Sequence, residues 1–293
     1  MNSNRIFVST SKRGGYLIDE RLDALVSGGF KNIELSGGCV FQSNILNILE
    51  TYKKKYNLNY RMHNYFPPPE LDFAFNLSAN CMHIIEQCEH LFRNAIKTCN
   101  ALGVKEFGIH AGFRQNFNAN DLGCVKSTPD LISEEMATSN FKKNFLRLSA
   151  YAKKRGVQIY VENNVIGSQN FKKFDYKNPF LLTSSKDILE NSFFKKCNLL
   201  ADIAHLKVSC RVLGLDFKEE TKFFLQNSDY IHLSDNAGLE DTNGPLSYGG
   251  EIYDVLKNNC YLLKNKKITI EVYGEISEMK DSVHILNSLV EFD

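Results

Sequence analysis

Short apolar runs alternate with longer stretches in which apolar residues recur every three or four positions, along almost the whole chain. The first pattern suits strands buried on both faces, and the second suits amphipathic helices. Strands are expected over 6–10, 32–35, 58–63 and 105–110, followed by four runs that end at Glu162, Asp202, His232 and Glu271. Helices are expected over 19–27, 41–56, 141–154, 184–190, 252–263 and 278–289, with helical pieces across 205–225. The clearest helix carries Cys81, Ile84, Ile85, Cys88, Leu91, Phe92, Ala95, Ile96 and Cys99 on one face and stops at Gly103. Pro67, Pro68 and Pro69 hold the preceding loop extended. Residues 111–138 read as a long polar loop, of the kind that serves as a lid, and 163–183 as a second loop. Strictly alternating strands and helices predict a parallel sheet. Eight strands and about eight helices predict the α/β class, as a single (β/α)8 TIM barrel in which residues 1–293 form one domain.

The chemistry suggested by this pattern sits at the strand ends. Four consecutive runs, Val157–Glu162, Leu199–Asp202, Tyr230–His232 and Ile268–Glu271, each close on a residue type that binds metals. In a barrel those ends meet at the mouth where barrel enzymes place their reactive groups. A half-buried carboxylate also needs a cation or hydrogen-bond donors. The expectation is that Glu162, Asp202, His232 and Glu271 hold one divalent metal, Mn, Co, Mg or Zn, and leave room for a substrate. His205, three residues past Asp202, faces the same mouth. His63 and His110 end the third and fourth strands, and Glu34 ends the second. These three are candidates for further metal or substrate contacts, with an ion pair to Arg61 or Lys105 as the structural alternative for Glu34. Lys12 and Arg13, in a loop with Gly14 and Gly15, are candidate phosphate contacts.

Composition narrows the classes. A chain of 293 residues with 43% hydrophobic content can bury a large core. Its net charge of +1 and lack of a long basic block leave no footprint for nucleic acid as a partner. No run approaches the 18 apolar residues of a membrane span. The apolar stretch after Met1 is too short for a signal-peptide core. None of the eight cysteines forms a CxxC pair, which fits free thiols in a reducing cytoplasm. There is no P-loop, no GxSxG elbow and no strand-linked GxGxxG.

Taken in order, Val161-Glu162-Asn163-Asn164, Asp202-Ile203-Ala204-His205, His232-Leu233-Ser234-Asp235-Asn236, the Asp241–Gly249 segment and Glu271 resemble the xylose isomerase-like TIM barrel superfamily. That superfamily includes sugar and sugar-phosphate isomerases and epimerases, and also endonuclease IV. The resemblance implies that Glu162, Asp202, His232 and Glu271 hold a catalytic cation, with His205 contacting substrate oxygens or a further metal. It implies proton transfer through an enediolate in a small sugar, keto-sugar or sugar phosphate, with Glu162 and Glu271 as the acid–base pair. A small carbohydrate is then the expected partner. In the endonuclease IV branch His63, His110, His205 and Asp241 would bind further zinc ions, a second zinc at His63 and His110 among them, for cleavage of abasic DNA. The chain departs from that branch at Asn243, where a histidine is expected and an amide is a poorer zinc ligand. A third alternative is a non-catalytic barrel that binds sugar.

Overall fold

The computed structural model describes residues 5–12, 15–118 and 130–290. Eight parallel strands close into a barrel, each hydrogen-bonded to the next and the last to the first. They are β1 (Ile6–Ser9), β2 (Asn32–Leu35), β3 (Asn59–His63), β4 (Glu106–His110), β5 (Gln158–Glu162), β6 (Leu199–Asp202), β7 (Ser228–Leu233) and β8 (Lys267–Ile270). The helices between and after them are α1 (Ile18–Ser27), α2 (Ile45–Tyr56), α3 (Met82–Leu102), α4 (Glu134–Lys153), α5 (Ser168–Lys173), α6 (Ser185–Glu190), α7 (Ile203–Leu213), α8 (Phe217–Asn227), α9 (Glu251–Asn258) and α10 (Ile276–Val290). No helix among the described residues is long and apolar enough to cross a membrane.

The structure sharpens the pattern-based reading in three places. Helix α4 begins at Glu134, well before Phe141, because the Ser133 side chain accepts from the Met136 N–H and caps it. The stretch 205–225 splits into α7 and α8 at Gly214, where φ is 68°, and Asp216 caps the second helix. The segment 163–183 contains α5, which is too short to leave a periodic signal. Most of the expected long loop, residues 119–129, lies outside the described residues.

Register explains where the site comes from. Side chains alternate across a strand, and residues paired between strands share a face. The chain of pairs Phe7↔Thr269, Ser9↔Glu34, Glu34↔Arg61, His63↔Gly108, His110↔Glu162, Glu162↔Leu200, Asp202↔His232 and His232↔Thr269 closes around the barrel. All of these residues therefore belong to the inner face. The other face carries Val8, Ile33, Met62, Phe107, Ile109, Ile159, Val161, Ala201, Ile231, Ile268 and Ile270, which pack with the helices into the main apolar core. The barrel interior is largely polar, with one small apolar plug of Tyr160, Leu200 and Tyr230. Below the plug, Lys267 pairs with Glu106 at 3.2 Å and donates to the Tyr160 hydroxyl at 2.7 Å. The Arg61 guanidinium lies 3.9 Å from the centre of the Phe7 ring.

The plug supports everything above it. Leu200→Ala is expected to lower the unfolding free energy by about 2–5 kcal/mol, because the barrel wall cannot collapse into the space left. Denaturant titration should show a lower midpoint at an unchanged slope, and an unchanged midpoint would show that the plug carries no packing weight.

Candidate functional site

The upper ends of β3 to β7, the residue that follows β8, the first turn of α7 and the loop after β7 bring eight of the nominated side chains to one place. Asp202, the last residue of β6, is the N-cap of α7 and accepts from the His205 N–H at 2.7 Å. Its backbone is clamped by Asn163, whose Oδ1 accepts from Asp202 N at 2.8 Å and whose Nδ2 donates to Asp202 O at 3.0 Å. That clamp is a contribution the sequence pattern did not reveal. The same α7 turn places His205 over the mouth. Its Nδ1 lies 2.9 Å from the Asn163 carbonyl, and its Nε2 lies 3.2 Å from Asp241 Oδ2.

Glu162 is the hub. Its Oε2 lies 2.7 Å from His63 Nε2 and 3.1 Å from His110 Nδ1, and its Oε1 lies 3.2 Å from His232 Nδ1. His232 Nδ1 also lies 3.0 Å from Glu271 Oε2. These approaches are short, yet both Glu162 oxygens, Asp202 Oδ2, His63 Nε2, His110 Nδ1 and both His232 nitrogens are buried without a hydrogen bond of acceptable angle. Orphaned buried polar atoms are costly.

Donor atoms of Glu162, Asp202, His232 and Glu271 all lie within 4.8 Å of one another, as do those of His63, His110 and Glu162. Two ligands held about 2.1 Å from a cation at a right angle are themselves about 3.0 Å apart. The 3.0 and 3.2 Å spacings around His232 Nδ1 match that edge. One imidazole with three carboxylates fits a divalent cation, and the residues present fit such an ion.

Electrostatics sort the groups. Burial pushes the Glu162 carboxyl up, but His110, His63 and His232 outweigh it and hold Glu162 well below the usual carboxylate range. Glu271, buried too, is drawn down to about 2 by the neighbouring His232. Burial, with Glu162 and Asp241 adding to it against His205, raises Asp202 to about 7. Among the histidines, burial lowers His110 to about 4 despite Glu162. His205 goes the other way: Asp202 and Asp241 overcome its burial and raise it well above its ordinary value.

Above the cluster opens a cavity of about 590 Å³. His110, His205, Asp241 and Glu271 line its floor, and Tyr65, Phe113, Phe180 and Tyr273 its walls, with Asn164, Gln169 and Asn243 among them. Among the described residues its lining includes Glu240 but no lysine or arginine. Asn243 is engaged locally: its Oδ1 accepts from Ser234 Oγ at 2.9 Å, and its Nδ2 donates to Asp241 at 3.4 Å.

Two nominated groups stand elsewhere. Glu34 is fully buried beneath His232, outside the cavity lining and outside both donor groups. Lys12 is exposed and away from this cavity, and Arg13 lies outside the described residues.

No family model and no curated protein matches the chain. Solved structures do. The chain is similar to a D-tagatose 3-epimerase-like protein, with 16% identity over 98% of this chain and 97% of that one, at a TM-score of 0.69. It is similar to the D-psicose 3-epimerase from Clostridium cellulolyticum, with 10% identity over 98% and 99% at a TM-score of 0.64. It is also similar to endonuclease IV from Thermus thermophilus, with 14% identity over 99% and 100% at a TM-score of 0.61. The chain thus shares the barrel fold of the superfamily that its motifs resemble.

One glycine tests how tightly the floor is built. A methyl group on Gly108 would overlap His63 Cδ2 and lie 3.0 Å from Leu200 Cδ1. Gly108→Ala is expected to cost about 1–3 kcal/mol by overpacking and to shift the His63 ring signals in histidine-edited NMR spectra. An unchanged His63 environment would show slack in the floor.

Proposed function

We propose that the chain is a divalent-metal-dependent isomerase or epimerase of a small uncharged sugar or keto-sugar. The observation that carries this reading is that Glu271 belongs both to the four-residue donor group and to the floor of a cavity whose described lining is aromatic and amide-rich, with no lysine or arginine. Such walls suit hydroxyl groups and sugar C–H faces better than a phosphate ester, which calls for cationic or amide-nest partners.

Glu162, Asp202, His232 and Glu271 would hold the cation. When bound, it would supply Lewis acidity against negative charge developing on a substrate oxygen. Glu271, the glutamate of the group that faces the cavity, takes the proton from the carbon beside the carbonyl and delivers it to the neighbouring carbon, so that the carbonyl moves by one position; inversion at a single carbon would instead need a second donor on the opposite face. Glu162, the other glutamate nominated for proton transfer, is enclosed by three imidazoles. We therefore assign it first to holding the site together. His205, turned by the Asn163 carbonyl so that Nε2 faces outward, donates to a substrate hydroxyl. Tyr65, Phe113 and Phe180 shield the reacting carbon from water.

The test is a ketose panel incubated with Mn²⁺ or Co²⁺ in D₂O. Wild type should incorporate deuterium at carbon. Glu271→Gln should lose at least about a hundredfold in exchange rate, the lower end of what a positioned proton-transfer group contributes, while still folding. Glu162→Gln should lose bound metal as well as exchange. Undiminished exchange in Glu271→Gln would remove that residue from the chemistry.

The second donor group, His63, His110 and Glu162, favours one rival: zinc-dependent phosphodiester cleavage of abasic DNA. Asn243 and the lining without lysine or arginine count against it. Elemental analysis decides between them. One metal per chain and no binding of an abasic duplex are expected, whereas three zinc ions with salt-dependent duplex binding would establish the rival.

A further inference from the structure

Glu34 is a fully buried carboxylate for which the proposed chemistry has no use. It projects from β2, across the barrel from β7. Its Oε1 lies 2.9 Å from His232 Nε2, an ion-pair distance at an angle short of a hydrogen bond, and its Oε2 accepts from Thr269 Oγ1 at 3.0 Å. Thr269 is held in turn by the Tyr230 hydroxyl at 3.2 Å. Arg61, the register partner of Glu34, brings a buried guanidinium to the same interior. His232 is thus an imidazole between two carboxylate environments. Nδ1 faces Glu162 and Glu271, and Nε2 faces Glu34 alone among the described acids.

We propose that Glu34 is a positioning residue that holds the proton on His232 Nε2 and so presents Nδ1 as the bare donor of the metal group. A metal-binding histidine has one nitrogen for the ion, and the tautomer is set by whatever the other nitrogen meets. Nε2 cannot turn to water here, because both side chains have zero exposure. The Glu34 oxygen 2.9 Å away favours a proton on that nitrogen. Thr269 fixes the direction of the carboxylate, and Arg61 offsets its charge. The argument rests on the reading of Glu162, Asp202, His232 and Glu271 as a cation site, and not on the identity of the sugar.

The experiment reads metal binding rather than turnover. Calorimetric titration of the metal-free chain with Mn²⁺ and Zn²⁺ should show affinity weakened about 10–100-fold in Glu34→Ala. Glu34→Gln, which keeps an oxygen able to stand beside Nε2, should recover part of that loss. Circular dichroism and denaturant midpoints establish that both variants fold. A readout that needs no variant is the ¹⁵N spectrum of histidine-labelled, zinc-loaded wild type, in which His232 should carry its proton on Nε2. Unchanged affinity in Glu34→Ala, or a His232 proton on Nδ1, overturns the proposal. A chain that binds no divalent cation overturns it together with the functional reading. Glu34-dependent binding in a chain that turns over no ketose supports it while removing the functional reading alone.

Discussion

Three carboxylates buried within reach of one another are the constraint around which this barrel is arranged. Donor atoms of Glu162, Asp202 and Glu271 share a sphere with His232, every pair within 4.8 Å. Like charges so close, with little water, strongly disfavour being ionised together. The structure answers with imidazoles. His63, His110 and His232 surround Glu162, and His205 stands between Asp202 and Asp241. The polar interior extends the same logic downward, where Glu34 meets His232 and Thr269, and Lys267 meets Glu106. A barrel can carry such an interior because its apolar burial lies elsewhere, between the outer strand faces and the helices.

Two kinds of surface meet at Glu271. Below it are atoms enclosed by protein and positioned by strand register. Above it is the cavity, built by loops. The loop after β7 supplies Asp241 and Asn243, and it is anchored by buried Lys207, whose ammonium donates to Asp235 at 2.8 Å and to the Asn236 carbonyl at 2.5 Å. The rigid part suits ligation, and the loop-built part suits discrimination between substrates.

Much of the site was legible in the chain. Glu162, Asp202, His232 and Glu271 are visible because each ends an apolar run, and the strands of a barrel all point the same way. His63 and His110 are visible for the same reason. Asp241 has no such signal and is found only through the resemblance of its segment. Asn163 escapes because its work is done by a side-chain amide on the backbone of the next strand, which leaves no periodic trace. Glu34 was correctly placed at a strand end, but its partner was not readable. The residue it meets, His232, lies on β7, and nothing local links the two. Helix α5 was missed because six residues are too few for a helical period to show.

The sequence by itself determined which residues stand at strand ends and which alternate inward, because side-chain alternation is a local property of the extended backbone. Only the tertiary structure decided which of those residues touch. Contact across a barrel depends on register and on closure of β8 against β1, and both are set by packing over the whole chain. Closure turned separate strand-terminal acids into one cluster with Glu162 at its hub. It set Glu34 behind His232 rather than in the cavity. It also left that cavity lined, among the described residues, without lysine or arginine, a property of how loops assemble that no single segment carries.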